Sequence, residues 1–470
     1  MTTLRVGGDS PSKEGSRKMY KVIIGSNNFV MVGAQIIYNG LGFQRNSSLN
    51  ASIKFFKILY ELSNKVAHKQ PSSVDILDDE SDINLQKSLF VDKNTCNRIL
   101  SELIEISAPL RSDLSDEIVS AFKSLGFFKD NTQEAPAFTF LEDVARTNSP
   151  APVLWEMMYE GDVSDDPQWQ NFWGFKVPIA NWITGNRTNE IRLQKTFAGI
   201  HEDLKFAGKE TDLLATKLAP RLTHTNLLKE CRERVEKDVK NEIQYASEEQ
   251  ELGGSVYQDS RWLLTYLKRL FEKNEDPVYE AKKWKEKTLV SIFKNSQISY
   301  DLLHFACHCE ASDETGFLSQ LIMKVAGEPI SLNVGFIKTA LKRKNSWENN
   351  ERGPLIFLNA CGTFEQNVSH EPPGFPIAWI NSQGALAVIG TLCPVPDYFA
   401  YAFAKKFYEI LFQAVANQKI VRECYLSEAL LATRRYFMET YNNPLGLAYV
   451  LYAVDGAHVL ADFVQTGDAA

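Results

Sequence analysis

Two short apolar runs in the sequence each end in a side chain that can do chemistry. Residues 303–310 read Leu-His-Phe-Ala-Cys-His-Cys-Glu and bring an imidazole, His308, to the end of the first run. Residues 356–363 read Ile-Phe-Leu-Asn-Ala-Cys-Gly-Thr and bring a thiol, Cys361, to the end of the second. A histidine exchanges protons near neutral pH, and a cysteine is a strong nucleophile as its thiolate. The pair predicts a cysteine–histidine hydrolase.

The elements that must position this pair are two buried strands. Continuous apolar runs of this length are typical of a parallel sheet that is covered on both faces. Ligands and catalytic groups of open α/β sheets lie at the carboxyl ends of such strands. The segment between the runs is long enough for a crossover helix and a hairpin, so the two strands can be neighbours. We therefore expect His308 and Cys361 to meet at one edge of a sheet.

The endings Ala306-Cys307-His308 and Asn359-Ala360-Cys361 resemble those of the CHAT domains. These are caspase-like proteins of the clan that also contains separase, gingipain, legumain and metacaspases. Further family-like segments are 152–156, 384–385, 388–392, 394–395 with Asp397, 407–408, 429–430 and 443–452. The resemblance covers roughly residues 150–465. It implies an α/β fold with a caspase-like, mostly parallel sheet and helices on both faces.

The resemblance implies a cysteine endopeptidase mechanism with a His308/Cys361 dyad. The Cys361 thiolate would attack a peptide carbonyl, and His308 would protonate the leaving amine. Backbone N–H groups at Cys309 and Cys361 would hold the oxyanion. The family usually has glycine where this chain has Cys309, and it often has tryptophan where this chain has Cys393. The alternative for Cys361 is an inert buried thiol, because free cysteine is among the most buried residue types.

The other histidine of the first run, His304, is predicted to support the site rather than to react. Side chains alternate along a strand, so His304 and His308 face one way while Cys307 and Cys309 face the other. Divergent ligands do not make a zinc site, and no second Cys-x-x-Cys pair completes one. The sequence therefore predicts neither a metal nor a cofactor, and His304 is interpreted as a core or second-layer histidine.

Asp397 follows a third apolar run, 387–393, and two roles are open for it. In the clan that the chain resembles, the S1 pocket draws on residues of this strand, and a carboxylate there would pair with a basic P1 side chain. The other role is a helix N-cap, because a helical run begins at Tyr398 and aspartate is a preferred cap.

Composition bounds the remaining classes of function. The chain has 470 residues, 44% hydrophobic and 23% charged, as expected of a globular protein with two or three domains. A net charge of −8 does not favour nucleic acid or an anionic membrane as the main partner, although a local basic face remains open. Seven cysteines, an odd number, and no apolar run of membrane-spanning length favour a cytoplasmic location.

The chain is predicted to divide at about residue 145. Residues 1–145 are expected to form an α+β regulatory or interaction domain, with short strands followed by helices that break near Asp92. This order weakly resembles winged-helix domains, whose recognition helix would expose Lys93, Asn94, Asn97 and Arg98. The alternative is a small α+β module used for packing or protein contact. Residues 146–470 are expected, from the resemblance, to form a CHAT protease domain with its catalytic half at 296–470.

Three functions follow from this organisation. The first is an endopeptidase that cleaves specific protein partners and is activated when a signal or a protein binds its N-terminal domain. The second is a catalytically silent CHAT fold that serves as a binding or scaffold module. The third is a transcription regulator with a protease-like sensor half. This function depends on the winged-helix resemblance, and DNA binding that weakens as salt rises would support it.

Overall fold

The computed structural model of the chain describes residues 19–24, 29–32, 35–38, 45–68, 81–112, 137–142, 154–161, 166–182, 189–193, 195–214, 223–226, 300–310, 319–325, 328–339, 353–360, 374–416, 424–454 and 456–460. Within these residues, no helix is long and apolar enough to cross a membrane.

The described part of the first 145 residues has three strands, then three helices, then one more strand. Its elements are β1 (Met19–Ile24), β2 (Phe29–Val32), β3 (Gln35–Tyr38), α1 (Arg45–Ala67), α2 (Ser81–Leu89), α3 (Lys93–Ser112) and β4 (Ala137–Glu142). The predicted break near Asp92 is present between α2 and α3, where the Asp92 carboxylate accepts a hydrogen bond from Thr95 N at 2.9 Å. An aspartate at this position satisfies one of the free N–H groups at a helix start.

The remaining elements build the half that carries the two motifs. The strands are β5 (Ile179–Trp182), β6 (Glu190–Arg192), β7 (Lys195–Ile200), β8 (Thr223–Asn226), β9 (Leu302–Glu310), β10 (Gln320–Val325), β11 (Glu328–Asn333), β12 (Leu355–Ala360), β13 (Ala387–Thr391), β14 (Cys424–Tyr425), β15 (Tyr449–Ala453) and β16 (His458–Leu460). The helices are α4 (Trp173–Lys176), α5 (Ala207–Asp212), α6 (Val334–Thr339), α7 (Gly374–Gln383), α8 (Asp397–Ala416) and α9 (Leu426–Tyr441). Short 3-10 helices cover Trp155–Met157, Trp169–Asn171 and Pro444–Ala448.

Thirteen of the described strands form one sheet, whose main path runs β11-β10-β9-β12-β13-β15-β5-β4-β1-β2-β3. The pairs at its centre are parallel where β7 meets β9, β9 meets β12 and β12 meets β13. Strand β15 is antiparallel to β13 and parallel to β5. Three more strands form a small sheet in the order β14-β16-β6. The predicted α/β class with a mostly parallel central sheet is confirmed.

Helices cover both faces of the sheet, as the contacts of two consecutive residues on β9 show. The His304 ring lies 5.7 Å from the ring of Tyr408 on α8. The Phe305 ring lies 5.4 Å from the ring of Trp379 on α7. Neighbouring strand residues point to opposite faces, so α8 and α7 lie on opposite sides of the sheet. This double cover explains why β12, β13 and β15 are buried along their whole length.

The N-terminal elements are joined to this half by backbone and side-chain contacts. Strand β1 pairs in parallel with β4, and β4 pairs in parallel with β5. The Tyr398 hydroxyl donates to the Val66 carbonyl at the end of α1 at 2.6 Å, and Asn443 Nδ2 donates to the Leu89 carbonyl of α2 at 2.8 Å. The division of the chain at residue 145 and the winged-helix resemblance stay predictions.

Candidate active site

The two motif strands lie side by side, and β9 continues for three residues beyond the one that faces the last residue of β12. Strands β9 and β12 are parallel, and their register runs from Leu302 opposite Leu355 to Cys307 opposite Ala360. The side chains of β9 are buried as far as Cys307, and His308 is the first exposed one. Ala360 is the last residue of β12. Cys361 follows it directly in the chain and lies outside the described residues.

His308 marks the point where β9 changes its neighbour. On the side away from β12, β9 pairs with β7 from Leu302 to Ala306 and with β10 from His308 onwards. The His308 imidazole therefore lies where the pairing of β9 with β7 has ended and its pairing with β10 begins. This is the carboxyl edge at which the sequence predicted it.

The second histidine of the motif, His304, is buried and bonded through both ring nitrogens. Its Nδ1 lies 2.9 Å from the Tyr408 hydroxyl, and its Nε2 lies 2.6 Å from Glu210 Oε2. Burial, with the charge of Glu210 adding to it, raises the pKa of Tyr408 well above its usual value. The protonated phenol can then donate to Nδ1, which leaves Nε2–H to donate to Glu210. His304 is thus a bonded core histidine, and its support of His308 stays a prediction.

Glu210 also links His304 to the second motif. Asn359 Nδ2 donates to Glu210 Oε1 and Oε2 at 2.9 and 2.8 Å, and the Tyr449 hydroxyl donates to Asn359 Oδ1 at 2.6 Å. We refer to His304, Tyr408, Glu210, Asn359 and Tyr449 as the buried network. All its members are buried.

The buried network lies on the same face of the sheet as His308. Alternation along β9 places His304 and His308 on one face, and the register places Asn359 opposite Ala306 on that face. A fully bonded set of polar groups fixes side-chain geometry, because each member would be costly to leave unpaired. The polar residue inside the apolar run Leu355–Ala360 was the available signal for Asn359. No signal in the sequence pointed to Glu210, because nothing in its local sequence connects it to the motifs.

Asp397 lies at the N-terminus of α8 and contacts the loop before α5. It is the first residue of α8, and its Oδ2 accepts a hydrogen bond from Phe206 N at 3.1 Å. Burial raises the pKa of this carboxyl to about 6, against the effect of the N–H bond. The carboxylate therefore ties α8 to this loop. Its S1 and capping roles stay predictions.

The cysteines near His308 take different positions. Cys307 is buried, while Cys309 is partly exposed and stands opposite Leu321 of β10. Cys393, which follows β13, is buried. The oxyanion role of the Cys309 and Cys361 N–H groups stays a prediction. In the part of the chain that is described, no three His, Cys, Asp or Glu side chains form a group that could hold a metal ion.

One residue beside His308 was missed by the sequence analysis. His201 follows β7 directly, and its ring centroid lies 4.5 Å from that of His308 in an edge-to-face arrangement. His201 N donates to the Ala306 carbonyl at 2.9 Å, which fixes its backbone next to β9. No motif pointed to His201, because the contact arises from the pairing of β7 with β9.

The chain was compared with solved structures, curated proteins and protein families. Among solved structures, the chain is similar to the Arg-specific cysteine proteinase gingipain R, with 11% identity, 75% of this chain and 70% of that chain covered, and a TM-score of 0.39. A complex of Porphyromonas gingivalis RgpB pro- and mature domains gives 11% identity, 78% coverage of both chains and a TM-score of 0.39.

The Saccharomyces cerevisiae separase–securin complex gives 11% identity and a TM-score of 0.43, with 94% of this chain but only 30% of that chain covered. A comparison with curated proteins finds no significant match. Among protein families, residues 260–438 match the one described as the CHAT domain, which confirms the resemblance carried by the two strand-end motifs.

Proposed function

We propose that the protein is a cysteine endopeptidase that uses a His308/Cys361 dyad to cleave specific protein partners. The observation that carries the proposal is the register of β9 and β12, which sets Cys307 opposite Ala360. His308 follows Cys307 in the sequence and Cys361 follows Ala360, so the next residue of each motif is a member of the proposed dyad.

Covalent geometry limits how far Cys361 can lie from His308. Consecutive Cα atoms are about 3.8 Å apart, so Cys361 stays next to Ala360, and neighbouring strands are about 4.8 Å apart. These distances support the proposal that the thiol lies within reach of an imidazole on the adjacent strand. The exposure of His308 supports access for a substrate.

The chemistry follows from these two groups. The Cys361 thiolate attacks the peptide carbonyl carbon, and the carbonyl electrons move to the oxygen, where N–H groups of Cys309 and Cys361 hold the oxyanion. His308 gives its proton to the amine as the C–N bond breaks, leaving a thioester. Neutral His308 then takes a proton from water, whose oxygen attacks the thioester and releases the acid and Cys361.

For the N-terminal part, the proposal is a regulatory role. Helices α1 and α2 reach the site half through Val66 and Leu89, whose carbonyls accept from Tyr398 and Asn443. Tyr398 lies on α8, the helix that also carries Tyr408 of the buried network. A protein that binds α1–α3 could therefore shift α8. The described basic surface of α3 is reduced by an ion pair between Arg98 and Glu102, which does not favour DNA as the activating ligand.

A comparison of new protein amino termini tests the function directly. Cells that produce the wild-type protein should show new amino termini that are missing from cells with the Cys361→Ala variant at equal abundance. Identical sets from both cells, with and without candidate activating proteins, would contradict the peptidase and support a silent binding module.

A prediction about stability follows from the raised pKa of Asp397. Its folded-state pKa of about 6 lies above the usual 3.8, so the folded protein holds a proton here that the unfolded chain has released. The contribution of this group to the free energy of unfolding therefore falls as pH rises from about 4 to 6, by on the order of 3 kcal/mol. Asp397→Asn should remove this fall and be more stable than wild type at pH 7.

Urea unfolding of both proteins at pH 4.5 and pH 7 measures the difference. Parallel pH dependences in the two proteins would contradict the raised pKa of Asp397.

The same variant, Asp397→Asn, tests the proposed S1 role on a peptide library. A carboxylate in S1 favours Lys or Arg at P1, so Asp397→Asn should lose that preference. An unchanged P1 preference would remove Asp397 from the pocket.

A further inference from the structure

His201 and His308 form a pair of rings with very different surroundings. Their centroids lie 4.5 Å apart and their planes are inclined by 73°. The His201 side chain belongs to a residue that is only 8% exposed, whereas His308 is exposed. The contact therefore joins a buried ring that the fold holds to an exposed ring at the strand end.

The hydrogen bonding of His201 disfavours its charged form. Its Nδ1 is buried and has no hydrogen-bond partner among the described residues. A protonated imidazole carries N–H donors on both nitrogens, and a buried donor without an acceptor is costly. His304 differs, because both of its nitrogens have partners.

The charged groups around His201 give the same result. Burial, followed by the charge of His308, lowers the pKa of His201, and Lys324 on β10 acts in the same direction. Asp203 and Glu202, in the loop after His201, act in the opposite direction and do not reverse the shift. Asp203 is itself engaged by Lys324 Nζ at 2.6 Å. The charged form of His201 is therefore disfavoured.

We propose that His201 is a positioning residue whose buried ring packs against His308 and holds that exposed imidazole in one orientation. The inference rests on the proposed peptidase function, in which His308 must carry a proton to the leaving amine. The contact limits rotation of an exposed ring, which keeps its nitrogens in one orientation.

Kinetics of two His201 variants test the positioning role. The substrate is a fluorogenic peptide that contains a cleavage site found by the comparison of new amino termini. His201→Ala removes the ring and should lower kcat about tenfold to a hundredfold with KM unchanged within about twofold. His201→Phe keeps a neutral ring and should recover most of kcat. Equal losses in both variants, or no loss in His201→Ala, would overturn the proposal.

His458 provides the matched control. It is also buried and has a ring nitrogen, Nε2, without a partner among the described residues, but it lies on β16 in the small sheet. His458→Phe should leave kcat and KM unchanged. A loss of kcat as large as that of His201→Ala would mean that any buried histidine gives the effect, and the proposal would fall.

A second measurement separates this inference from the peptidase function. In Cys361→Ala protein, which cannot cleave, NMR relaxation should show restricted motion of the His308 ring, and adding His201→Ala should increase that motion. Adding His201→Phe instead should keep the His308 ring restricted. Equal motion of the His308 ring with and without His201→Ala would contradict the inference even if the protein is a peptidase. If His201 restricts the His308 ring while no cleavage is found, the peptidase proposal alone fails.

Discussion

Cys361→Ala and His308→Ala should each lower the rate of cleavage by at least about a thousandfold while the protein remains folded. Each change removes one of the two proposed reacting groups and leaves the apolar strand before it intact. His308 is exposed, so its truncation opens no cavity in the core. Turnover of a peptide substrate measures the loss, and urea unfolding checks the fold.

The two losses should not add, because a nucleophile and its acid–base partner act as one unit. The double variant should be about as inactive as either single variant. His304→Ala is the matched control on the same strand, and it should mainly lower stability, because it removes the partner of Glu210 and Tyr408 in the buried network. A His308→Ala enzyme with near-normal turnover would refute the dyad.

Arg434→Met should lower the free energy of unfolding by about 3–5 kcal/mol, which is the usual cost of removing one member of a buried ion pair. Arg434 on α9 is 1% exposed and faces Glu156, which is 0% exposed, with 3.4 Å between Arg434 Nη2 and Glu156 Oε1. The guanidinium also donates to the carbonyls of Gly174 and Tyr449 at 3.2 and 2.5 Å. Methionine would leave a buried carboxylate without its counter-charge.

The neighbouring Arg435 is the control for Arg434. It donates to the carbonyls of Phe175 and Lys176 from a partly buried position, so Arg435→Met should cost only about 1–2 kcal/mol. Adding Glu156→Met to Arg434→Met should restore part of the stability, because no unpaired charge is then buried. Urea midpoints of the four proteins test the series. A double variant less stable than Arg434→Met would contradict this account.

The ion pair and the buried network meet at Tyr449. The Tyr449 carbonyl accepts from Arg434, and its hydroxyl donates to Asn359 two residues before Cys361. This strand residue therefore connects the packing of α9 to the end of β12. Loss of Arg434 should consequently affect cleavage as well as stability.

The sequence by itself determined the two motif strands and the edge of the sheet at which His308 stands. The apolar runs predicted β9 and β12, and strand alternation predicted that His304 and His308 share a face. The break between two helices near Asp92 was equally readable. These features were predictable because burial along one strand or helix leaves a local pattern in the chain.

Only the tertiary structure decided what surrounds those groups. Glu210 reaches His304 across 94 positions of sequence, Phe206 reaches Asp397 across 191, and β7 brings His201 to His308. A buried polar residue bonds to whichever partner the packing brings within hydrogen-bond distance. The local sequence around that partner does not indicate the contact. The two side chains proposed to react were therefore candidates from the sequence alone. Their bonded, buried surroundings depend on how helices and strands far apart in the chain come together.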